Sequence, residues 1–301
     1  MKPAARTLTK TLLCAATLIV VAVSVMVTIA AWAADRDALL HIVQDQCLVH
    51  WRQAHDPAPC ARVVLSGTPQ DYAVLHDRKG GAHFLLIPTQ TITGMEDPRL
   101  LRQQTPNYFA AAWQARDQLD AVMGHTLRRD AIGLAINSAR ARGQDQLHIH
   151  IECLQPEIYR ALKERALPAA AGGANLGDQW APLPIGDSIY MALRIRGQDV
   201  DQTNPIQLLA TLLPGARQSM GDYTILVAGA QFSDGPGFIV LTGPTPTRDA
   251  LLGAPARGLV APGETLLDAT CAVDLRPART CRLDELLTAA GAGTCGAVSA
   301  R

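Results

Sequence analysis

The sequence predicts an α+β protein: an antiparallel sheet with one long helix packed on a face, a histidine-bearing strand inside that sheet, and an N-terminal transmembrane helix ahead of it. Three observations carry this expectation. Two pairs of short apolar runs are each joined by a turn-forming stretch, Asp77-Arg78-Lys79-Gly80-Gly81 and Ser233-Asp234-Gly235-Pro236, which is the pattern of β-hairpins. Between the pairs, Asn107 to Met123 sets Phe109, Ala112, Trp113, Leu119 and Val122 at helical spacing. Thr11 to Ala34 is a run of 24 residues without a charge, long enough to cross a hydrocarbon core of ~30 Å.

Lys and Arg number 27 against 27 Asp and Glu, and 48% of the residues are hydrophobic. That balance excludes a polybasic nucleic-acid binder and a disordered acidic tail, and it provides enough apolar material for a packed core.

Taken in order, Lys2, Arg6 and Lys10 precede the uncharged run, so the N-terminus is expected to stay cytoplasmic and the remainder to be exported. Ala31-Trp32-Ala33 also offers small residues to a signal peptidase, which leaves removal of the segment as the alternative. The anchor is preferred because cleaved signals usually have an apolar run of ~7 to 15 residues. Of the seven cysteines, Cys14 lies in that run and six follow it: Cys47, Cys60, Cys153, Cys271, Cys281 and Cys295. An even number suits an oxidising compartment, and no C-x-x-C spacing points to zinc or redox exchange. Many pairings are open; the one followed here joins Cys47 to Cys60, Cys281 to Cys295, and Cys153 to Cys271.

Residues 35–46 read as a short helix, and Gln70 to Leu75 with Ala82 to Ile87 as the first hairpin, closed by Pro88. The long helix follows, with Pro106 before it and Gly124 after it. Ala131 to Asn137 is an apolar run, and Gln146 to Leu154 alternates as a strand. Residues 157–168 read as a helix, 169–175 as a glycine-containing loop, and Trp180-Ala-Pro-Leu-Pro184 as extended chain. Tyr223 to Ala230 and Gly237 to Leu241 form the second hairpin, which reads as a decayed second copy of the first unit. From Glu264 onward the chain reads as short helix and loop.

Chemistry concentrates in one stretch, Asn137-Ser-Ala-Arg-Ala-Arg-Gly143-Gln144-Asp145-Gln146-Leu147-His148-Ile149-His150-Ile151-Glu152. A strand turns alternate residues to one face, so Gln146, His148, His150 and Glu152 share a face while Leu147, Ile149 and Ile151 enter the core. Two imidazoles so placed suit two jobs. One is holding a metal, for which Glu152, His76 or His83 could add a ligand. The other is nucleophilic attack on phosphorus, and the loop before the strand favours this, because backbone N–H groups around Gly143, with Arg140 or Arg142 beside them, can offset charge on non-bridging oxygens.

These residues resemble the histidine-triad (HIT) superfamily, in which an Asn precedes a Gly-Gln pair and an alternating histidine run; here they are Asn137, Gly143-Gln144 and His148-Ile-His150. His83-Phe-Leu-Leu-Ile-Pro88 is similar to that superfamily's strand ending in proline. With the N-terminal run, the Asn107 helix and Met220-Gly-Asp-Tyr223, the pattern is similar to the bacterial membrane-anchored CDP-diacylglycerol pyrophosphatases, a resemblance that covers nearly the whole chain from residue 35 to about 271. The resemblance implies a HIT-like sheet over residues 35–275, an anchor or signal over 1–34 and an extension over 276–301. It implies a single-pass protein of the bacterial inner membrane, its catalytic domain on the periplasmic side.

It further implies hydrolysis of CDP-diacylglycerol to CMP and phosphatidate by a histidine nucleophile, with no metal, no other cofactor and no nucleic acid. One register makes His150 the nucleophile, His148 the first triad position and Glu152 the third, and it is preferred because the Asn and Gly-Gln spacings stay intact. The other starts the triad at Gln146 and makes His148 the nucleophile. In either register one triad histidine is missing, and Glu152 or His148 is left to protonate the leaving oxygen. Asn137, Gly143, Gln144, Arg142, Gln146 and His76 are the expected substrate and phosphate contacts. The alternatives are a HIT-like hydrolase of another nucleotide diester and a non-catalytic envelope module that binds a nucleotide or a metal.

Overall fold

The computed structural model describes residues 36–78, 80–102, 104–166, 176–245 and 260–274. Helix α1 (Ala38–His41) runs through a π-helical stretch, Ile42–Cys47, into α2 (Leu48–Ala54). This segment is longer than expected because Val43, Cys47 and Leu48 keep one side buried against the sheet and Cys47 is bonded to Cys60. Strands β1 (Arg62–Val64), β2 (Tyr72–His76) and β3 (Phe84–Pro88) follow, then helices α3 (Tyr108–Gln114) and α4 (Asp117–Met123).

The long helix expected over Asn107 to Met123 is therefore two. At the break the backbone tightens to i+3 bonds, Gln118 N to Ala115 O and Leu119 N to Arg116 O, while the Arg116 guanidinium folds over the Trp113 ring. Asn107 caps α3 by accepting from Ala110 N.

Strands β4 (Ile132–Ile136) and β5 (Ile149–Leu154) form the second pair, and helix α5 (Pro156–Ala166) leaves β5. The chain then repeats itself. Strands β6 (Ala181–Ile185) and β7 (Ser188–Arg196), helix α6 (Pro205–Leu212), and strands β8 (Tyr223–Phe232) and β9 (Gly235–Pro244) again run hairpin, helix, hairpin. The sheet order is β1-β2-β3-β5-β4-β8-β9-β7-β6, with β10 (Leu267–Asp268) paired to β5, and every pairing is antiparallel. Each half thus has the order first, second, fourth, third strand, and the halves meet where β4 pairs with β8.

The side chains of α3, α4 and α6 share one core with the same sheet face, including Phe109, Trp113, Leu119, Ile206 and Leu209 with Ile149, Ile151, Phe238 and Val240. The opposite face is covered in two places. Helices α1 and α2 pack on Leu85 and Ile87 of β3, and α5 with Leu266 and Leu267 packs on Ala135, Leu226 and Leu241. The functional side chains lie on this face, between the two covers.

Strand β5 begins at Ile149 rather than at the expected Gln146. Strand β3 stops at Pro88 and its last pair with β5 is Leu86–Ile149, so residues 146–148 have no ladder partner there; Leu147 N bonds Ile92 O of the departing loop instead. Strand β7 was not anticipated, because both its faces are covered and the polar alternation that marks a half-buried strand is blurred.

The transmembrane part of the fold expectation is corrected. Among the described residues no helix is long and apolar enough to cross a membrane. The longest continuous helical run among the described residues, 38–54, has 17 residues, about 25 Å at 1.5 Å per residue against a core of about 30 Å. Residues 1–34, to which that helix was assigned, lie outside the described residues, as do residues 276–301 and the Cys281–Cys295 pair. The other two expected disulfides, Cys47–Cys60 and Cys153–Cys271, are present.

Candidate active site

The alternation of β5 puts His150 and Glu152 on one face, His148 joins them from the residue just before the strand with its ring centroid 5.1 Å from that of His150, and the register brings a third imidazole to them. Leu85 pairs with His150 and Phe84 with Ile151, so one step further sets His83 opposite Glu152. His83 Nε2 lies 3.1 Å from His150 Nδ1 and 3.2 Å from Glu152 Oε1, and its Nδ1 is 3.8 Å from Asp77 Oδ1. His150 Nδ1 is itself 3.7 Å from Glu152 Oε1. On the other side of β5 the opposing residues are Gly133 and Ala135, and their small size lets Leu154 and Leu267 pack close over that strand. A Cβ on Gly133 would come within 2.5 Å of Leu267 and 2.7 Å of Leu154.

His148 is held differently. Its Nδ1 donates to the Gln146 carbonyl oxygen at 2.7 Å, which leaves the lone pair on Nε2. Its pKa is lowered by burial, against the opposing pull of the Gln146 carbonyl and the Glu264 carboxylate, so the neutral imidazole is favoured. Gln146 earns this position by satisfying the loop after β3: its Nε2 donates to Pro88 O and Gln90 O, and its Oε1 accepts from Ile92 N.

The remaining expected residues divide. Asn137 reaches the site indirectly, its Oδ1 accepting from Glu264 N at 3.1 Å. Gln144 accepts from Leu39 N, and Asp145 receives two bonds from Arg36, so both tie the loop to α1. The Arg36 guanidinium is the main reason that the Asp145 carboxyl is held below its ordinary pKa. Arg142 is buried and gripped by Glu96 at 2.9 and 2.6 Å and by Asp145 at 3.1 Å; Gly143 has open space where a Cβ would go. Arg140 pairs with Asp222. His76 is not brought to the site: it is exposed, stacks on Phe84 toward the opposite face, and bonds Gly81 O.

Two residues of the site lay outside the expected catalytic and substrate contacts: His83, read only as a possible metal ligand, and Glu264, not anticipated at all. Glu264 stands on a 3-10 turn, Gly263–Leu266, with its Oε2 3.6 Å from His150 Nε2. The alternation of His83 with Leu85 and Ile87 was a usable signal for the first; nothing local marks the second.

His83, His150 and Glu152 hold their ligand atoms within 4.8 Å of one another, a donor set a transition-metal ion could use. The same separations are hydrogen-bond or ion-pair distances between the three side chains. Such an arrangement can store and move protons around one imidazole while another, locked in a single tautomer, offers a nucleophilic nitrogen. The fold and site therefore define a hydrolase-type centre built from histidines and carboxylates on an antiparallel sheet.

The comparisons with known proteins narrow that class. The family model of the CDP-diacylglycerol pyrophosphatases matches residues 34–275. A CDP-diacylglycerol pyrophosphatase of Yersinia pestis is 40% identical over 245 residues, covering 79% of this chain and 85% of the relative. The chain belongs to the CDP-diacylglycerol pyrophosphatase family and is a hydrolase of that type.

Proposed function

We propose that the protein hydrolyses CDP-diacylglycerol to CMP and phosphatidate through a covalent nucleotidyl-histidine, with His148 as the nucleophile. The tautomer lock at His148 is the observation that carries this: a hydrogen bond from Nδ1 to a main-chain carbonyl leaves Nε2 to attack the phosphorus nearest cytidine. This is the second of the two registers considered above. His150, with His83 and Glu152 around its Nδ1, is then the group that protonates the departing phosphatidate oxygen. Phosphatidate leaves as a phosphate monoester, and water releases CMP from the ring. A metal ion has no role in this scheme.

We place the domain at the periplasmic surface of the bacterial inner membrane, where the acyl chains of the substrate are embedded; the two disulfides support an oxidising compartment.

The test is a rapid quench of the full chain with cytidine-labelled CDP-diacylglycerol in detergent micelles, with and without a chelator. Acid-labile label bound to wild type, lost in His148→Ala and unaffected by chelator, is the expected result. Label lost in His150→Ala but retained in His148→Ala would restore the first register. Activity abolished by chelator would favour a metal centre. The same assay with soluble CDP esters distinguishes the lipid from another nucleotide diester.

A further inference from the structure

The turn that carries Glu264 is fastened far more firmly than a surface carboxylate requires. Its Glu264 N–H is held by Asn137. Gly263 sits so close to the β4–β8 seam that a Cβ would lie 2.7 Å from Thr224 Oγ1 and 3.0 Å from Ile136 O. Gln155 bonds Leu266 O through its N–H and Leu267 O through its side chain, at 2.9 and 2.8 Å. Beyond the turn, β10 pairs with β5 at Leu154 and Cys153, and Cys153 is bonded to Cys271. A segment more than a hundred residues away in sequence is thus fixed to the strand that bears the histidines.

What this fastening delivers is one carboxylate at the solvent edge of the histidine cluster. The Glu264 side chain is 41% exposed, whereas those of Glu152 and His150 are 6% and 5% exposed. Its Oε2 lies against the outward nitrogen of His150, and its charge acts on His148. Glu152 is inside and shared with His83, so it is shielded from entering water. Asp77, beside His83, is 23% exposed and lies 3.8 Å from its Nδ1; Glu264 is the more open carboxylate and the one against Nε2 of His150.

We propose that Glu264 is a catalytic residue, the general base for the second half of the reaction; this rests on the nucleotidyl-histidine route above. After phosphatidate has left, a water molecule takes its place. Glu264 removes a proton from it, the water oxygen bonds to phosphorus, and the P–N bond to His148 breaks with its electron pair returning to the ring. CMP departs, and the proton passes from Glu264 to His150, which gave one up to phosphatidate and so is restored as the acid for the next turnover. Asn137 is a positioning residue in this scheme, acting through the Glu264 backbone.

The experiment is pre-steady-state kinetics of full-length Glu264→Gln with labelled CDP-diacylglycerol. The expected result is a burst of phosphatidate equal to the enzyme, nucleotidyl-enzyme accumulating above the wild-type level, and CMP release slowed by about 10²-fold. Glu264→Asp should recover part of the rate, and both variants should melt with wild type. If Glu264→Gln releases phosphatidate and CMP together at the wild-type rate, the inference fails while the nucleophile reading stands. A loss of the burst itself, with label still forming in wild type, would also overturn it, because Glu264 would then serve the first step. If no label forms in wild type or in this variant, both readings fall.

Discussion

The two halves of the sheet are built to one plan, and only one of them carries chemistry. In the first, β5 presents His150 and Glu152, with His148 just ahead of it, to the face opposite the helices; in the second, the corresponding face of β9 presents Ile239 and Leu241. The helices that follow the first hairpin of each half both begin at an asparagine cap beside a proline, Asn107 after Pro106 and Asn204 before Pro205. The difference lies in connections and cover. Residues 137–148 join β4 to β5, whereas only Ser233 and Asp234 separate β8 from β9. The long connection holds Gln146 and the Arg142–Glu96–Asp145 cluster, and the β10 segment adds Glu264. A site on this frame needs the strand, the loop and a third segment together; the second half has only the strand.

That contrast can be broken from either side. His148→Ala gives the first half a strand as inert as the second, and kcat should fall by about 10⁴-fold or more with the melting temperature nearly unchanged. His83→Ala removes a buried partner of Glu152 and His150. It should cut kcat by about 10²-fold and also destabilise the fold by about 1–3 kcal/mol, read by denaturant unfolding. The double variant Cys153→Ala, Cys271→Ala releases the segment that carries Glu264. A stability loss of about 2–4 kcal/mol is expected, with CMP release reduced more than phosphatidate release. The reverse exchange, Leu241→His, buries an imidazole without the surrounding network. It should cost about 1–3 kcal/mol of stability and add no activity in a His148→Ala background; measurable CMP release there would show that the strand alone suffices.

Much of the site on β5 was legible because strand alternation is a local rule: once Leu147, Ile149 and Ile151 are taken as core, His148, His150 and Glu152 must face the other way. Both hairpins and the start of a helix at Asn107 were legible for the same reason, since turns and helix starts are marked by neighbouring residues. Arg142 shows the limit of such reasoning. Placed in a glycine-containing loop it reads as a phosphate ligand, but Glu96, 46 residues earlier, claims both its terminal nitrogens. Gln144 likewise serves Leu39 rather than the histidine cluster. Charge and spacing show that a side chain can bind an anion; they do not show which carboxylate has already done so.

Sequence alone determined the alternating histidine face and the hairpin units, for each is written in short-range periodicity; it left the cysteine pairings open, and the fold joined Cys47 to Cys60 and Cys153 to Cys271. Only tertiary structure decided that His83 meets His150 across 67 residues, that Glu264 closes the mouth of the site, and that His76 is turned away from it. The physical reason is strand register. One step of pairing moves a side chain to the other face of a sheet, and the partner that sets the step lies anywhere along the chain.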